Sequence, residues 1–361
     1  MPDNRPGLVF GPAYLDLVVE TDRPLAPDLL DQSVPAARLL PRDDSVLELR
    51  GPTGDRLQFH LPTEAASLAA TYELCEPILA RLRGMATRET VNGDLSVSRV
   101  LRQLGGMGAG YAKALGGILR VPFGGTPAHP DQTAMVVLQL LRELRIHAEP
   151  VFLPDSTSDS SLIVLSPRGD KLAVGVRAAM VRWQANAADR ELIARASAVV
   201  FCGAPNALLT ELLPATPEIP IMCAPAMRNI ADTACPLADL AGRLHYLTLN
   251  ALEWEHLAGK ERLLRATPII TVTDGPHGSR IYVRGEELFV PAVPHNGLTD
   301  VNRAGETYGA SVFKVLRQAC PQFFHDGLTL ALAKRAGQYA ARQAERQLGL
   351  TAFEFPPDEF G

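Results

Sequence analysis

From about residue 148 onward, short runs of β-branched and apolar residues alternate with amphipathic stretches. This alternation restricts the fold more than any other feature of the chain. The apolar runs read as strands at 198–202, 219–223, 245–249 and 269–273, and the periodic stretches between them as helices at 192–196, 206–213 and 251–257. Two longer helices follow at 304–318 and 328–347. Strands separated by helices pair in parallel, and a parallel sheet has to be covered on both faces. The expected fold is therefore α/β, a mostly parallel central sheet with helices on both faces.

Two segments interrupt the alternation. Residues 45–61, around Gly51-Pro52-Thr53-Gly54-Asp55, and 160–176, around Pro167-Arg168-Gly169-Asp170, each read as a β-hairpin. Such hairpins serve either as a small β lid over a site or as peripheral ornaments. The stretch 63–104 shows polar-apolar periodicity and reads as helical. The expected organisation is a single domain over 1–361, with lid elements around 17–62 and 160–177 and a helical insertion around 63–104. The tail from Phe353 is expected to fray.

Several functions are disfavoured at this point. The chain of 361 residues carries 35 Lys and Arg against 40 Asp and Glu, a net charge of -5, with no basic cluster to neutralise a nucleic-acid backbone. The arginines are scattered (Arg38, Arg102, Arg120, Arg177, Arg265) and read as solvated faces. The longest apolar runs, such as 133–141, fall short of the roughly 20 residues a membrane-spanning helix needs. The opening Met-Pro-Asp-Asn-Arg-Pro has no apolar stretch of the signal-peptide kind. Five dispersed cysteines (Cys75, Cys202, Cys223, Cys235, Cys320) without Cys-x-x-Cys spacing suggest neither disulfides nor zinc, and the expected location is the cytoplasm.

Two motifs bear on chemistry. Gly105-Gly106-Met107-Gly108-Ala109-Gly110 lacks the Gly-x-Gly-x-x-Gly spacing of a dinucleotide fold, and it follows a run, 96–104, that reads as helical where a Rossmann turn must leave a strand. A nicotinamide-dependent oxidoreductase is thereby disfavoured, and no P-loop sequence occurs. The cluster suits either a tight turn or close approach of backbone to a ligand. Farther on, Asp300-Val301-Asn302-Arg303-Ala304-Gly305-Glu306-Thr307-Tyr308 precedes a long amphipathic helix. Asn302 reads as its N-cap, leaving the amides of Ala304, Gly305 and Glu306 to face an anion. Glu306 suits proton abstraction there, or simply complements the helix dipole.

In order along the chain, these pieces resemble the ribokinase-like (PfkB) carbohydrate kinase family. Gly11-Pro12-Ala13-Tyr14-Leu15-Asp16 resembles its first strand, and Gly105-Gly106 its paired glycines. Residues 155–164 with Gly169-Asp170-Lys171 are similar to its lid segment. Asn250-Ala251-Leu252-Glu253 matches its Asn-x-x-Glu, Thr273-Asp274-Gly275-Pro276-His277-Gly278 its nucleotide turn, and Asp300 to Tyr308 its catalytic signature Asp-Thr-x-Gly-Ala-Gly-Asp-x-Phe. The resemblance implies a ribokinase-like fold and transfer of the ATP γ-phosphate to a hydroxyl of a sugar or nucleoside. It implies Glu306 as base, with Arg303, Ala304 and Gly305 beside it. Asp16, Gly105, Gly106 and Gly110 would face the substrate, and Asn250, Thr273, Gly275, Gly278, Asn302, Ala336 and Ala340 the nucleotide. Glu253 would hold Mg2+, usually through water.

Three positions depart from the family pattern. Glu306 replaces the catalytic aspartate, Arg303 replaces the first glycine of Gly-Ala-Gly-Asp, and Gly110 stands where a substrate-binding asparagine is expected. A catalytically impaired pseudokinase that binds nucleotide or sugar in a regulatory or scaffold role is the alternative. Sugar, sugar phosphate and nucleoside stay open as substrates, and so does a homodimer through the lid strands.

Overall fold

The structure is a computed structural model that describes residues 5–21, 38–43, 46–50, 56–60, 92–165, 171–216, 218–295, 303–320, 327–348, 350 and 353–357. Its strands are β1 (Gly7–Phe10), β2 (Tyr14–Thr21), β3 (Arg38–Asp43), β4 (Val46–Arg50), β5 (Arg56–His60), β6 (Asn92–Gly105), β7 (Ile118–Gly124) and β8 (Ala148–Leu153). They continue as β9 (Ser160–Leu165), β10 (Lys171–Val176), β11 (Ala198–Cys202), β12 (Ile221–Ala224), β13 (Tyr246–Asn250), β14 (Ile269–Thr273), β15 (Ser279–Val283) and β16 (Glu286–Val290). Five helices matter for the site: α1 (Met107–Leu115), α2 (Gln132–Glu143), α3 (Ala251–His256), α4 (Ala304–Ala319) and α5 (Leu330–Gln347).

The large sheet has the order β16-β15-β14-β13-β12-β11-β1-β7-β8. It is parallel from β14 to β8, and β15 and β16 add an antiparallel edge. Strand β1 shows why helices must cover both faces. Val9 packs into a cluster with Leu119, Val121 and residues of α1, α2, α4 and α5, while Leu8 and Phe10 point the other way into a second cluster. There Phe10 stacks on Phe201 at 5.1 Å and on Trp183 at 5.6 Å. Each such fully buried side chain contributes about 1.5–3 kcal/mol.

The strand order reverses at the centre. From β1 the chain builds outward through β7 and β8, then returns to place β11 on the other side of β1. The carboxyl ends of β1 and β11 therefore flank a topological switch point, where open α/β sheets place their ligands.

Both expected hairpins form. Strands β4 and β5, and β9 and β10, pair antiparallel. They belong to a second sheet of order β10-β9-β2-β6-β5-β4-β3. The chain enters that sheet immediately beyond β1, so Asp16 lies on β2 and not on the first strand.

Three expectations need correction. The helical reading fails at 92–104, which belong to strand β6, while 61–91 lie outside the described residues. The cause is a register shift opposite Glu20/Thr21, where Arg99 and Val97 are the paired residues. The backbone pairing slips there, and such a bulge breaks the period-2 pattern by which a strand is read. The dinucleotide reading is still excluded by the glycine spacing. Phe353 does not fray but is a buried member of the core. Nor do all the scattered arginines lie on solvated faces: buried Arg120 pairs with buried Asp189 at 2.7 Å, and Arg177 is largely enclosed.

Candidate active site

The site is assembled where β6 hands over to α1. Gly105 pairs with Tyr14 across the second sheet, and Gly106 caps α1 with φ 98. A Cβ on Gly106 would meet the Pro12 carbonyl carbon at 2.8 Å, so only glycine passes so close to that backbone. Beside this crossing, buried Asp16 accepts a hydrogen bond from the Ser161 hydroxyl of β9.

Helix α4 begins next to it. The cap position falls on Arg303, in the left-handed conformation (φ 70) and with no side-chain cap bond, and not on Asn302, which lies outside the described residues. Arg303 Nη1 donates to Gly106 O and to Glu306 Oε1, each at 2.9 Å, and the guanidinium lies 4.6 Å from the Phe353 ring centre. The side chains of Arg303 and Glu306 are only 9% and 17% exposed. A Cβ on Gly110 would lie 3.1 Å from Arg303 Nη1 and 3.4 Å from Glu306 Cγ. The three departures from the family pattern are thus mutual neighbours, with Arg303 filling the space that Gly110 leaves. Gly305 is exposed, and no described residue lies within 4 Å of where its Cβ would stand. Thr307 and Tyr308 hold the helix in place through Gln347 of α5 (3.2 Å) and Ser279 of β15 (2.7 Å).

At the end of β13, Asn250 and Glu253 form a reciprocal capping box. Asn250 Oδ1 accepts from Glu253 N at 2.8 Å, and Asn250 N donates to Glu253 Oε2 at 2.9 Å. Burial raises the pKa of the Glu253 carboxyl, the Asn250 amide opposes the shift, and the charge of Glu306 adds to it. A carboxylate that is buried and feels a second carboxylate suits a hydrated divalent cation, which would relieve both effects. Among the described residues, no group of three His, Cys, Asp or Glu forms a cage around a metal.

Thr273 ends β14, and a turn through Gly275 (φ 51) and Gly278 (φ 99) closes with Asp274 N donating to Gly278 O at 2.8 Å. Ala336 and Ala340 do not join this group. Both lie on the inward face of α5 at 0% exposure, leaving no surface for a nucleotide to touch.

The acidic groups share one neighbourhood. Burial raises the pKa of the Tyr14 hydroxyl, and the charges acting on it are those of Arg177, Asp16, Arg303 and Glu306. The Tyr111 hydroxyl, also raised by burial, feels both Glu306 and Glu253. Two cations missed in the sequence join them. Arg177 stacks 3.9 Å from the centre of the Tyr14 ring, and Arg228 donates to Gly203 O at the end of β11. No local pattern marks either one; tertiary structure brings them here.

Residues 82–355 match the family described as pfkB family carbohydrate kinase. No curated protein sequence matches the chain. Among solved structures it is similar to ribokinase from Giardia lamblia, with TM-score 0.64 and 14% identity over 97% of this chain and 94% of that one. It is also similar to a Methanocaldococcus jannaschii nucleoside kinase described as an archaeal member of the ribokinase family, with TM-score 0.60, 12% identity and coverage of 96% and 93%. A third is Arabidopsis thaliana ribokinase complexed with ribose and ATP, with TM-score 0.59, 15% identity and coverage of 96% and 93%. The architecture is therefore a ribokinase-like α/β fold. The family match spans well over half the sequence, and the chain belongs to the pfkB family of carbohydrate kinases. No helix among the described residues is long and apolar enough to cross a membrane.

Proposed function

We propose that the protein transfers the γ-phosphoryl group of ATP to a hydroxyl of a sugar or nucleoside. The observation that carries this reading is the position of Glu306. It stands in the first turn of α4, hydrogen-bonded to an arginine that also binds the Gly106 carbonyl beside Asp16. Asp16 orients the acceptor through its hydroxyls, and the backbone at Gly105 and Gly106 forms the floor beneath it. Glu306 takes the proton of the attacking hydroxyl. The new bond joins that oxygen to the γ-phosphorus, and the bond to the bridging oxygen breaks as ADP leaves. The amides of Ala304, Gly305 and Glu306, at the positive end of the helix dipole, stabilise the negative charge on the transferring group.

On the nucleotide side, Asn250, Thr273, Gly275 and Gly278 line the approach, with Asn302 contributing from the segment before α4. Glu253 would hold Mg2+ through water; the ion supplies charge neutralisation at the phosphates. Arg303 positions the base, since its ion pair fixes where the longer glutamate side chain points.

A second reading, a pseudokinase, is favoured by that same ion pair. A base engaged by a buried guanidinium in the space left by Gly110 is a base withdrawn from the substrate. ADP formation from Mg·ATP with a panel of sugars and nucleosides separates the two. Turnover abolished in Glu306→Gln supports transfer; nucleotide binding without turnover for any acceptor supports the pseudokinase.

A further inference from the structure

Arg228 is the cation that the reaction above leaves unused. It lies on the short helix Met227–Ile230 after β12, half-buried, with Nη2 donating to the Gly203 carbonyl at the end of β11. Among the described residues it makes no ion pair, and its Nε is buried without an acceptor. A guanidinium withdrawn from water normally finds a carboxylate or a phosphate, because its desolvation is otherwise unrepaid. Gly203 belongs to the switch point between β1 and β11, so the unmatched charge lies where the fold places its ligand.

The surroundings give that charge a direction. Arg228 feels Asp159, Arg177 and Tyr14. Arg177 stacks on Tyr14, donates to Ser160 O at 2.9 Å and stands 4.0 Å from Asp159 Oδ2. Asp159 is 2% exposed, accepts from Met180 N at 3.2 Å, and among the described residues has no hydrogen bond at Oδ2. Burial pushes its carboxyl above the usual range, and Arg177, the Met180 amide and Arg228 oppose that shift. Arg177 lies over the Tyr14 ring and Arg228 also acts on Tyr14, two residues from Asp16 on the same strand.

We infer that the acceptor carries an oxyanion, a carboxylate or a phosphate ester, that Arg228 and Arg177 bind while Asp16 takes neighbouring hydroxyls. As a statement about the acceptor, this rests on the kinase reading; as a statement about an anion site, it stands on the arginines alone. Asp16 on β2, Arg177 just after β10 and Arg228 on the short helix after β12 come from three separate elements, and both arginines act on Tyr14 of β2.

Calorimetric titration of the full chain tests the inference with three sets of probes: D-gluconate and D-glucuronate; D-fructose 6-phosphate and D-ribose 5-phosphate; and neutral D-fructose, D-ribose and adenosine. One anionic set is expected to bind at least about tenfold more tightly than the neutral set, the scale of one charge-assisted hydrogen bond, and the arm that binds identifies carboxylate or phosphate. Arg228→Gln should weaken that anion roughly tenfold to a hundredfold, and Arg228→Lys, which keeps the charge, should retain part of the preference, a result that loss of the Gly203 contact alone would not give. The inference is overturned if neither anionic set binds more tightly than the neutral one, or if Arg228→Gln binds anions like the wild type. Mg·ATP titrated separately tells the two readings apart. Anion selectivity without ATP binding keeps the inference and removes the kinase; phosphorylation of neutral acceptors alone does the reverse.

Discussion

The Arg303 guanidinium occupies the space that a side chain at residue 110 would need: its Nη1 lies 3.1 Å from the Cβ position of Gly110. The two residues are distant in sequence, yet each makes sense only with the other. Arg303 also accepts a left-handed backbone at φ 70, a conformation that costs a non-glycine residue roughly 1 kcal/mol. Gly110→Asn alone should therefore destabilise the fold by about 1–3 kcal/mol through overpacking. Arg303→Gly relieves the backbone but empties the space. The double variant Gly110→Asn/Arg303→Gly should be more stable than the sum of the single effects by roughly 0.5–3 kcal/mol. Urea denaturation of the four proteins measures this coupling; strict additivity would show that the contact has no energetic content.

Glu306 is expected to dominate the chemical step. Glu306→Gln keeps the shape and a hydrogen-bond acceptor for Arg303 but cannot take a proton, so kcat should fall by roughly 10²–10⁴ with little change in the acceptor KM. Arg303→Ala should act through the base, lowering kcat by a smaller factor while leaving the KM for ATP nearly constant. Steady-state kinetics on the best acceptor distinguishes these outcomes. A large rise in the KM for ATP in Arg303→Ala would instead place the arginine on the phosphates.

His245 supplies a pH dependence unconnected with catalysis. Its Nδ1 accepts the Ile221 amide at 2.9 Å, so the ring is held neutral, and burial lowers its pKa to about 4. A histidine in the unfolded chain titrates near 6.5. Between those values the unfolded state binds the extra proton, so the stability from neutral His245 is present above about pH 6.5 and is lost as pH falls toward 4. The full difference is about 3 kcal/mol at most. His245→Asn should flatten this part of the stability curve when denaturation midpoints are followed from pH 7.5 to pH 4. An unchanged slope would mean that the ring does not titrate with folding.

Much of the large sheet was legible because its central strands are buried on both faces and appear as unbroken apolar runs. The expected strands at 198–202 and 269–273 coincide with β11 and β14. The strand expected at 219–223 begins only at Ile221, because Pro220 has no N–H to give the ladder. The helix expected at 192–196 starts earlier, at Ala187, where Asn186 and Asp189 form a capping box. Strand β6 was hidden by its bulge. At the site, the motifs around Gly105, Glu253 and Glu306 were readable because each is a local turn or helix start. Arg177 and Arg228 were not, because a lone arginine has no pattern and its place is decided by which strand ends the sheet brings together.

Glu253 separates a structural role from a binding one, since its capping box alone explains the local Asn-x-x-Glu spacing. Burial and Glu306 hold its carboxyl pKa above the ordinary range, so the folded protein binds that proton more tightly than the unfolded chain does. The associated stability is fully present below the ordinary glutamate pKa and is lost as pH rises through the raised folded value, which leaves a cost at neutral pH. Gln can serve the capping box as Glu does, because its side-chain oxygen still accepts the Asn250 amide. Glu253→Gln should therefore raise the Tm at pH 7 in the absence of ligand, and the gain should shrink as the pH approaches 4. If Glu253 only caps α3, the added stabilisation by Mg·ATP will match that of the wild type. If it also holds the ion, that increment will fall sharply while stabilisation by ATP in EDTA stays the same.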